Sequence, residues 1–383
     1  MNYSQDERIV MTLDAGGTNF VFSALQGYKE ITKPVILPSN SHDINLCIDT
    51  IRTGFSEVRD SIIRRGKPAA ISFAFPGPAD YPNGIIGDLE NLPAFRGGVP
   101  LGSLLEAQFG IPVFINNDGD LFAYGEAIAG FLPMVNTMLK KAGSSKRLKN
   151  LIGVTLGTGF GAGIVVNNNL LIGDNAAGAE ISCLRNKIYP DEHVEESVSI
   201  RGIKRAYARK ANILFDNVPE PKDIYAIGIG KKEGNRRAAI AAFLEMGEAL
   251  GDALANVVTL IDGIIVIGGG LSGAYSLFIP AIINEMNGKI NNGRSNRILF
   301  NVFNFEDKKE QKEFFRDNTK KISVSGLNEE IDYDPIKRIA VGLHTMPTNR
   351  AVAIGGYVFA LNKLDNSQKN NTETNIEIPI LNR

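Results

Sequence analysis

Apolar positions along the chain fall into short runs broken by glycine-rich turns, interspersed with longer stretches of helical spacing. The first run, Ile9 to Leu13, leads into Asp14-Ala15-Gly16-Gly17-Thr18-Asn19, and a second follows at Phe20 to Leu25. Two β-prone runs across a glycine-rich turn predict a hairpin. Ile48, Ile51, Phe55, Val58 and Ile62 recur on one helical face, which predicts a helix over Asn45 to Arg65. Ala69 to Phe75 reads as a buried strand stopped by Pro76-Gly77-Pro78. A polar loop with Asn83-Gly84 and Asn91 follows, then a short helix over Leu101 to Phe109 and a strand over Pro112 to Ile115. That strand ends in Asn116-Asn117-Asp118-Gly119-Asp120, before an Ala-rich helix to about Ala129.

The same grammar restarts near Leu151. Leu151 to Leu156 reads as a strand, Gly157-Thr158-Gly159-Phe160-Gly161 as a turn, and Ala162 to Val166 as a strand. A long helix is predicted over Ala238 to Leu260, then a strand over Asp262 to Ile267 ending at Gly268-Gly269-Gly270. Strands alternating with helices indicate α/β architecture. The recurrence predicts a duplicated fold of two lobes with a cleft between them. The first lobe is expected over residues 1–130, completed by a closing helical segment at about 345–364. The second is expected over 131–344, and residues 365–383 read as a polar tail. The charge-rich stretch 288–332 reads as a solvated surface insertion.

Composition narrows the function classes. A chain of 383 residues is long enough for two buried cores. Its net charge of -1 gives no pull toward nucleic acid or an anionic membrane surface. Only Cys47 and Cys183 occur, which suits reduced thiols in a cytosol and excludes a disulfide framework. The polar start lacks the pattern of a signal peptide, and no apolar run approaches the ~20 residues that span a bilayer. The expectation is a cytoplasmic protein that binds neither nucleic acid nor membrane.

Three glycine-rich segments follow apolar strands: Asp14 to Thr18, Gly157 to Gly161, and Gly268 to Gly270. Glycine lets the backbone approach an anion and aim N–H groups at it. Thr18 and Thr158 add hydroxyl donors, and Asp14 adds a carboxylate suited to a hydrated Mg2+ that bridges phosphates. Any one of these turns also fits an ordinary hairpin; three at strand ends favour a phosphate site. No glycine turn is followed by Lys-Ser or Lys-Thr, so the Walker pattern is absent. A Rossmann fingerprint fits poorly, because after Thr18 the chain returns as a strand instead of opening a helix.

Asp118, at a strand end beside Asn117, can accept the proton of a hydroxyl that attacks phosphorus. Asn117 offers a donor and an acceptor to neighbouring hydroxyls. The pair also fits a helix N-cap; beside phosphate turns the catalytic reading is the stronger. Glu180 and Glu195 could supply charge-assisted acceptors to a polyol, although each alone also reads as a surface glutamate.

Five segments occur in the order and spacing of a known family: Asp14-Ala15-Gly16-Gly17-Thr18-Asn19, Phe75-Pro76-Gly77-Pro78, Asn116-Asn117-Asp118, Gly125-Glu126-Ala127, and Gly157-Thr158-Gly159-Phe160-Gly161. Together the chain resembles the ROK family (repressor, open reading frame, kinase) of actin-like sugar kinases, over roughly residues 8 to 275, with Arg350 to Leu361 matching its closing helix. The resemblance implies a two-lobed actin-like, ribonuclease H-like fold that uses ATP and Mg2+ and usually forms a homodimer. It implies Asp118 as the base, with Gly77, Asn91, Asn117, Glu180 and Glu195 around the sugar. Asp14, Gly16, Gly17 and Thr18 would hold phosphates and Mg2+, with Thr158 and Gly159 opposite them and Gly268, Gly269 and Gly270 near the adenosine. Many members carry Gly-Glu-Ile-Gly-His and then a Cys-rich zinc loop. Here the stretch is Ala179-Glu180-Ile181-Ser182-Cys183, with Cys183 in the place of the His and only His193 nearby. Two ligands do not close a zinc site, so no structural zinc is expected.

The leading expectation is phosphoryl transfer from ATP to a hexose, at O6 of glucose or a relative. Two alternatives stand beside it. A sugar-responsive repressor would need an N-terminal helix-turn-helix, and the first phosphate strand already begins at Ile9. A non-catalytic sugar or nucleotide sensor would not require the base.

Overall fold

The computed structural model describes residues 3–77, 79–89, 92, 94–323, 326 and 329–373, the last five by backbone only. The chain divides into two compact units. One comprises Met1–Ile128 with Asn349–Arg383, the other Ala129–Thr348.

The first unit is built on a six-stranded sheet. Ile9–Ala15 and Asn19–Gln26 form the expected antiparallel hairpin, and Lys29–Glu30 and Val35–Pro38 extend its outer edge. On the other side Pro68–Ala74 and then Val113–Asn116 run parallel to Ile9–Ala15. The parallel strands are apolar on both faces because helices cover them, so their sequences read as continuous runs. Helix Ile44–Ser61 starts where the Asp43 carboxylate accepts the N–H groups of Asn45 and Leu46, and it buries Cys47, Ile51, Phe55 and Val58. Phe55 meets Phe22 edge-on at a centroid distance of 5.2 Å, and Phe73 and Phe75 continue this aromatic core.

Helix Asp118–Ile128 crosses helix Thr348–Glu373 at glycines. A side chain at Gly125 would overlap the Ala351 backbone, and one at Gly355 the Leu121 backbone. The second helix runs on to Glu373, well past the apolar positions that marked its expected end. Part of the stretch read as a polar tail is therefore helical. Asp365 accepts from Tyr3 Oη at 2.8 Å and from Arg8 Nη1 at 2.6 Å, which holds this turn against the start of the chain.

The second unit repeats the plan. Its sheet runs Asn169–Leu170, Phe160–Val166, Leu151–Leu156, Ile264–Gly268, Arg338–Leu343, Asn301–Asn304. The hairpin strands are antiparallel and the remaining pairs parallel. Helix Arg236–Ile261 is buried along its length against helices Ile200–Ala211 and Tyr275–Met286. The surface-insertion reading of 288–332 needs correction. Asn301–Asn304 is an edge strand of this sheet, and Val302, Phe305 and Phe314 are buried. Lys320–Ile322 and Ile331–Tyr333 do form an exposed two-stranded ribbon.

Candidate active site

In the first unit the sheet register sets Asp14 level with Ala74, and Ala74 level with Asn116. Three parallel strands thus end together, and strand spacing puts the Asp14 and Asn116 backbones about 10 Å apart. Asp14, Gly77, Asn117 and Asp118 all lie at this end, which is where open α/β sheets bind ligands.

Asn117 Oδ1 accepts the Gly119 N–H at 2.7 Å, and Asp118 Oδ1 accepts the same N–H at 2.8 Å. The N-cap reading of this pair therefore holds for Asn117, which caps the helix with its oxygen and keeps its amide as a donor. Asp118 is exposed to solvent and stands among the buried residues Asn116, Gly119 and Asp120. Burial raises its carboxyl above the ordinary range, opposed by the Gly119 N–H. Burial also raises Asp14, and the charge of Asp118 adds to it.

The first glycine turn is anchored from outside. Ser39 Oγ donates to the Gly17 carbonyl at 2.6 Å, and Ser39 N–H donates to the Thr18 carbonyl at 2.9 Å. A Cβ on Gly16 would crowd the Asn19 carbonyl at 2.7 Å, whereas Gly17 faces open space. Thr18 is exposed, and its N–H has no protein acceptor among the described residues. Near Gly77, Tyr81 Oη donates to the Phe75 carbonyl at 3.0 Å and a Cβ on Gly77 would meet that hydroxyl at 3.0 Å. Asn91 lies outside the described residues.

In the second unit Gly268 lies level with Thr155, so Gly268–Gly270 and the Gly157–Gly159 turn leave the sheet at one end. Gly269 has φ +84, and a side chain there would collide with the Leu156 backbone, so only glycine fits. Gly270 faces open space. Thr158 is exposed. Glu195 Oε2 accepts the Phe160 N–H at 2.9 Å and sits 2.9 Å from where a Cβ on Gly159 would be. Glu180 is exposed ahead of the turn Ile181–Cys183, with Ser182 Oγ 3.5 Å from its carboxylate. Cys183 is exposed too.

Asn186 was not singled out by sequence. It is fully buried and uses both ends of its amide. Nδ2 donates to the His193 carbonyl at 3.2 Å and to Ser197 Oγ at 2.9 Å. Oδ1 accepts the N–H groups of Ile188 and Tyr189. It closes the loop that delivers Glu195. Among the described residues, no group of three or more His, Cys, Asp or Glu is placed to hold a metal ion. The fit at Asp14 is to a hydrated hard cation held through phosphate: one oxygen ligand, beside an unpaired N–H that suits the anion.

A repeated sheet with a glycine-turn hairpin in each unit is the actin-like ATPase fold. Residues 10–310 match the ROK family model, and the chain belongs to that family. It is 29% identical over 272 residues to N-acetyl-D-glucosamine kinase of Vibrio cholerae, spanning 68% of this chain and 83% of that one. Among solved structures it resembles a glucokinase from Parabacteroides distasonis with a TM-score of 0.86 and 54% identity, over 94% of this chain and 99% of that one. A ROK glucokinase of Streptomyces griseus, solved with glucose and AMPPNP, shares the fold at a TM-score of 0.57 and 18% identity, over 91% and 98%.

Proposed function

We propose that the protein transfers the γ-phosphoryl group of ATP to O6 of a hexose, with Asp118 as general base. The coarser statement is plain: it is a sugar kinase, as its membership of the family and its likeness to glucokinase and N-acetyl-D-glucosamine kinase establish. The finer reading is carried by the register that sets Asp14 and Asn116 level, since one sheet end then carries a phosphate turn and a proton acceptor.

Asp118 takes the hydroxyl proton as the sugar oxygen attacks phosphorus, and the Gly119 N–H keeps its carboxylate oriented. The Asn117 amide, Asn91 and Gly77 would surround the sugar on the same unit. Glu180 and Glu195 would accept hydrogen bonds from further hydroxyls, and Glu195 also braces the second glycine turn through Phe160. Gly16, Gly17 and Thr18 would contact the transferred phosphate, Thr158 and Gly159 the other phosphates, and Gly268–Gly270 the adenosine. Mg2+ held at Asp14 through water and phosphate would neutralise charge on the transferred group.

The test is ADP release in a coupled assay with Mg-ATP across glucose, mannose, fructose, allose and N-acetylglucosamine. Turnover on one sugar that falls ~10²–10⁴-fold in Asp118→Asn is the expected result. An Asp118→Asn protein as fast as its parent would sink the assignment of the base.

A further inference from the structure

Ser39 follows the edge strand Val35–Pro38 and is 3% exposed. It binds two successive carbonyls of the first glycine turn, Gly17 through its hydroxyl and Thr18 through its N–H. In a planar trans peptide the C=O and the following N–H point in opposite directions. Holding the Gly17 carbonyl on Ser39 therefore turns the Thr18 N–H away from Ser39. Holding the Thr18 carbonyl ties the turn to the end of the edge strand, with the Asn19 N–H on the side of the hairpin partner Ile9–Ala15. Thr18 and Asn19 are both exposed, and the Thr18 N–H is left without a protein acceptor among the described residues. An N–H directed outward from a glycine turn is an anion site, whereas an outward carbonyl would repel phosphate.

We propose that Ser39 is a positioning residue for the nucleotide: it holds the Gly17 carbonyl inward so that the Thr18 N–H faces phosphate. The inference rests on reading the first glycine turn as a phosphate site. The two bonds differ in what a substitution removes. The main-chain donation to Thr18 survives any non-proline residue at position 39. The donation to Gly17 requires the hydroxyl, and Gly17, with open space beside it, is free to turn over once released.

Direct binding of Mg-AMPPNP and of the hexose is measured separately by calorimetry on the full chain. Ser39→Ala is expected to weaken AMPPNP about tenfold, the loss of one oriented hydrogen bond, while hexose affinity stays within about twofold. Ser39→Cys keeps nearly the same volume with a weak S–H donor and is expected to fall between the two. Parent-like AMPPNP affinity in Ser39→Ala overturns the role of Ser39, as does an equal loss of hexose and nucleotide, which would mark general loosening. A parent protein that binds no AMPPNP overturns the phosphate-site reading itself.

Discussion

Burial raises the Asp118 carboxyl, and that has opposite consequences for stability and for turnover. The folded chain holds this proton more tightly than the unfolded chain does. The resulting cost is absent below the ordinary carboxylate range near pH 4, grows as pH rises through it, and is constant above the raised value. Asp118→Asn removes it. The variant is expected to melt higher than the parent at pH 7, with the difference vanishing near pH 3, as scanning calorimetry at the two pH values would show. Turnover of the parent should fall on acidification at a higher pH than an unburied aspartate would give, because the proposed base must be ionised. Ala179, just before Glu180, carries φ +69, a backbone region that L residues other than glycine avoid. Ala179→Gly is expected to stabilise by about 0.5–1 kcal/mol in denaturant titration. At this scale the sequence shows the groups whose chemistry is local. Asp14, Asp118 and Thr158 stand out because they sit beside glycine turns. Ser39 and Asn186 do not, since each is defined by partners that only folding delivers, in the case of Ser39 a carbonyl 22 residues away.

At the scale of elements, the helix that opens with Asp118 depends on a crossing. Gly125 and Gly355 let helices Asp118–Ile128 and Thr348–Glu373 approach to backbone contact. Gly355→Ala would drive a methyl into the Leu121 backbone and is expected to cost about 3 kcal/mol, read by denaturant unfolding. Asn186→Ala is expected to cost about 2–4 kcal/mol, because it strands buried carbonyl and N–H groups around the Glu195 loop. The apolar runs were sufficient to read the hairpins, the parallel strands Pro68–Ala74, Val113–Asn116 and Ile264–Gly268, and helix Leu101–Phe109, whereas the parallel strand Arg338–Leu343 was not read. Asn301–Asn304 escaped because an edge strand needs few apolar residues, and charged segments flank this one. The closing helix outran its apolar pattern because polar bonds from Asp365 to Tyr3 and Arg8 hold a turn that lies past the apolar positions.

At the scale of the whole molecule, the two units differ in how the chain supplies them. Ala129–Thr348 is one continuous stretch with its own sheet and core. Expressed alone, it is expected to show a cooperative thermal transition. Residues 1–128 alone are not, because Gly125 then lacks the helix it packs on. The duplication was legible in the recurring strand-turn-strand pattern. The order of the strands was not, because pairing between distant strands leaves no local mark. The crossing at Gly125 also sets a timetable on the ribosome. The helix it requires begins only after residues 129–348 have been made. At synthesis rates of ~5–20 residues per second, that delay is about 10–45 s. During it the nascent segment bearing Asp118 has no partner for its helix, so a chain whose translation stops within that interval carries the sheet end with Asp14 and Asp118 and lacks the helix packed beneath it.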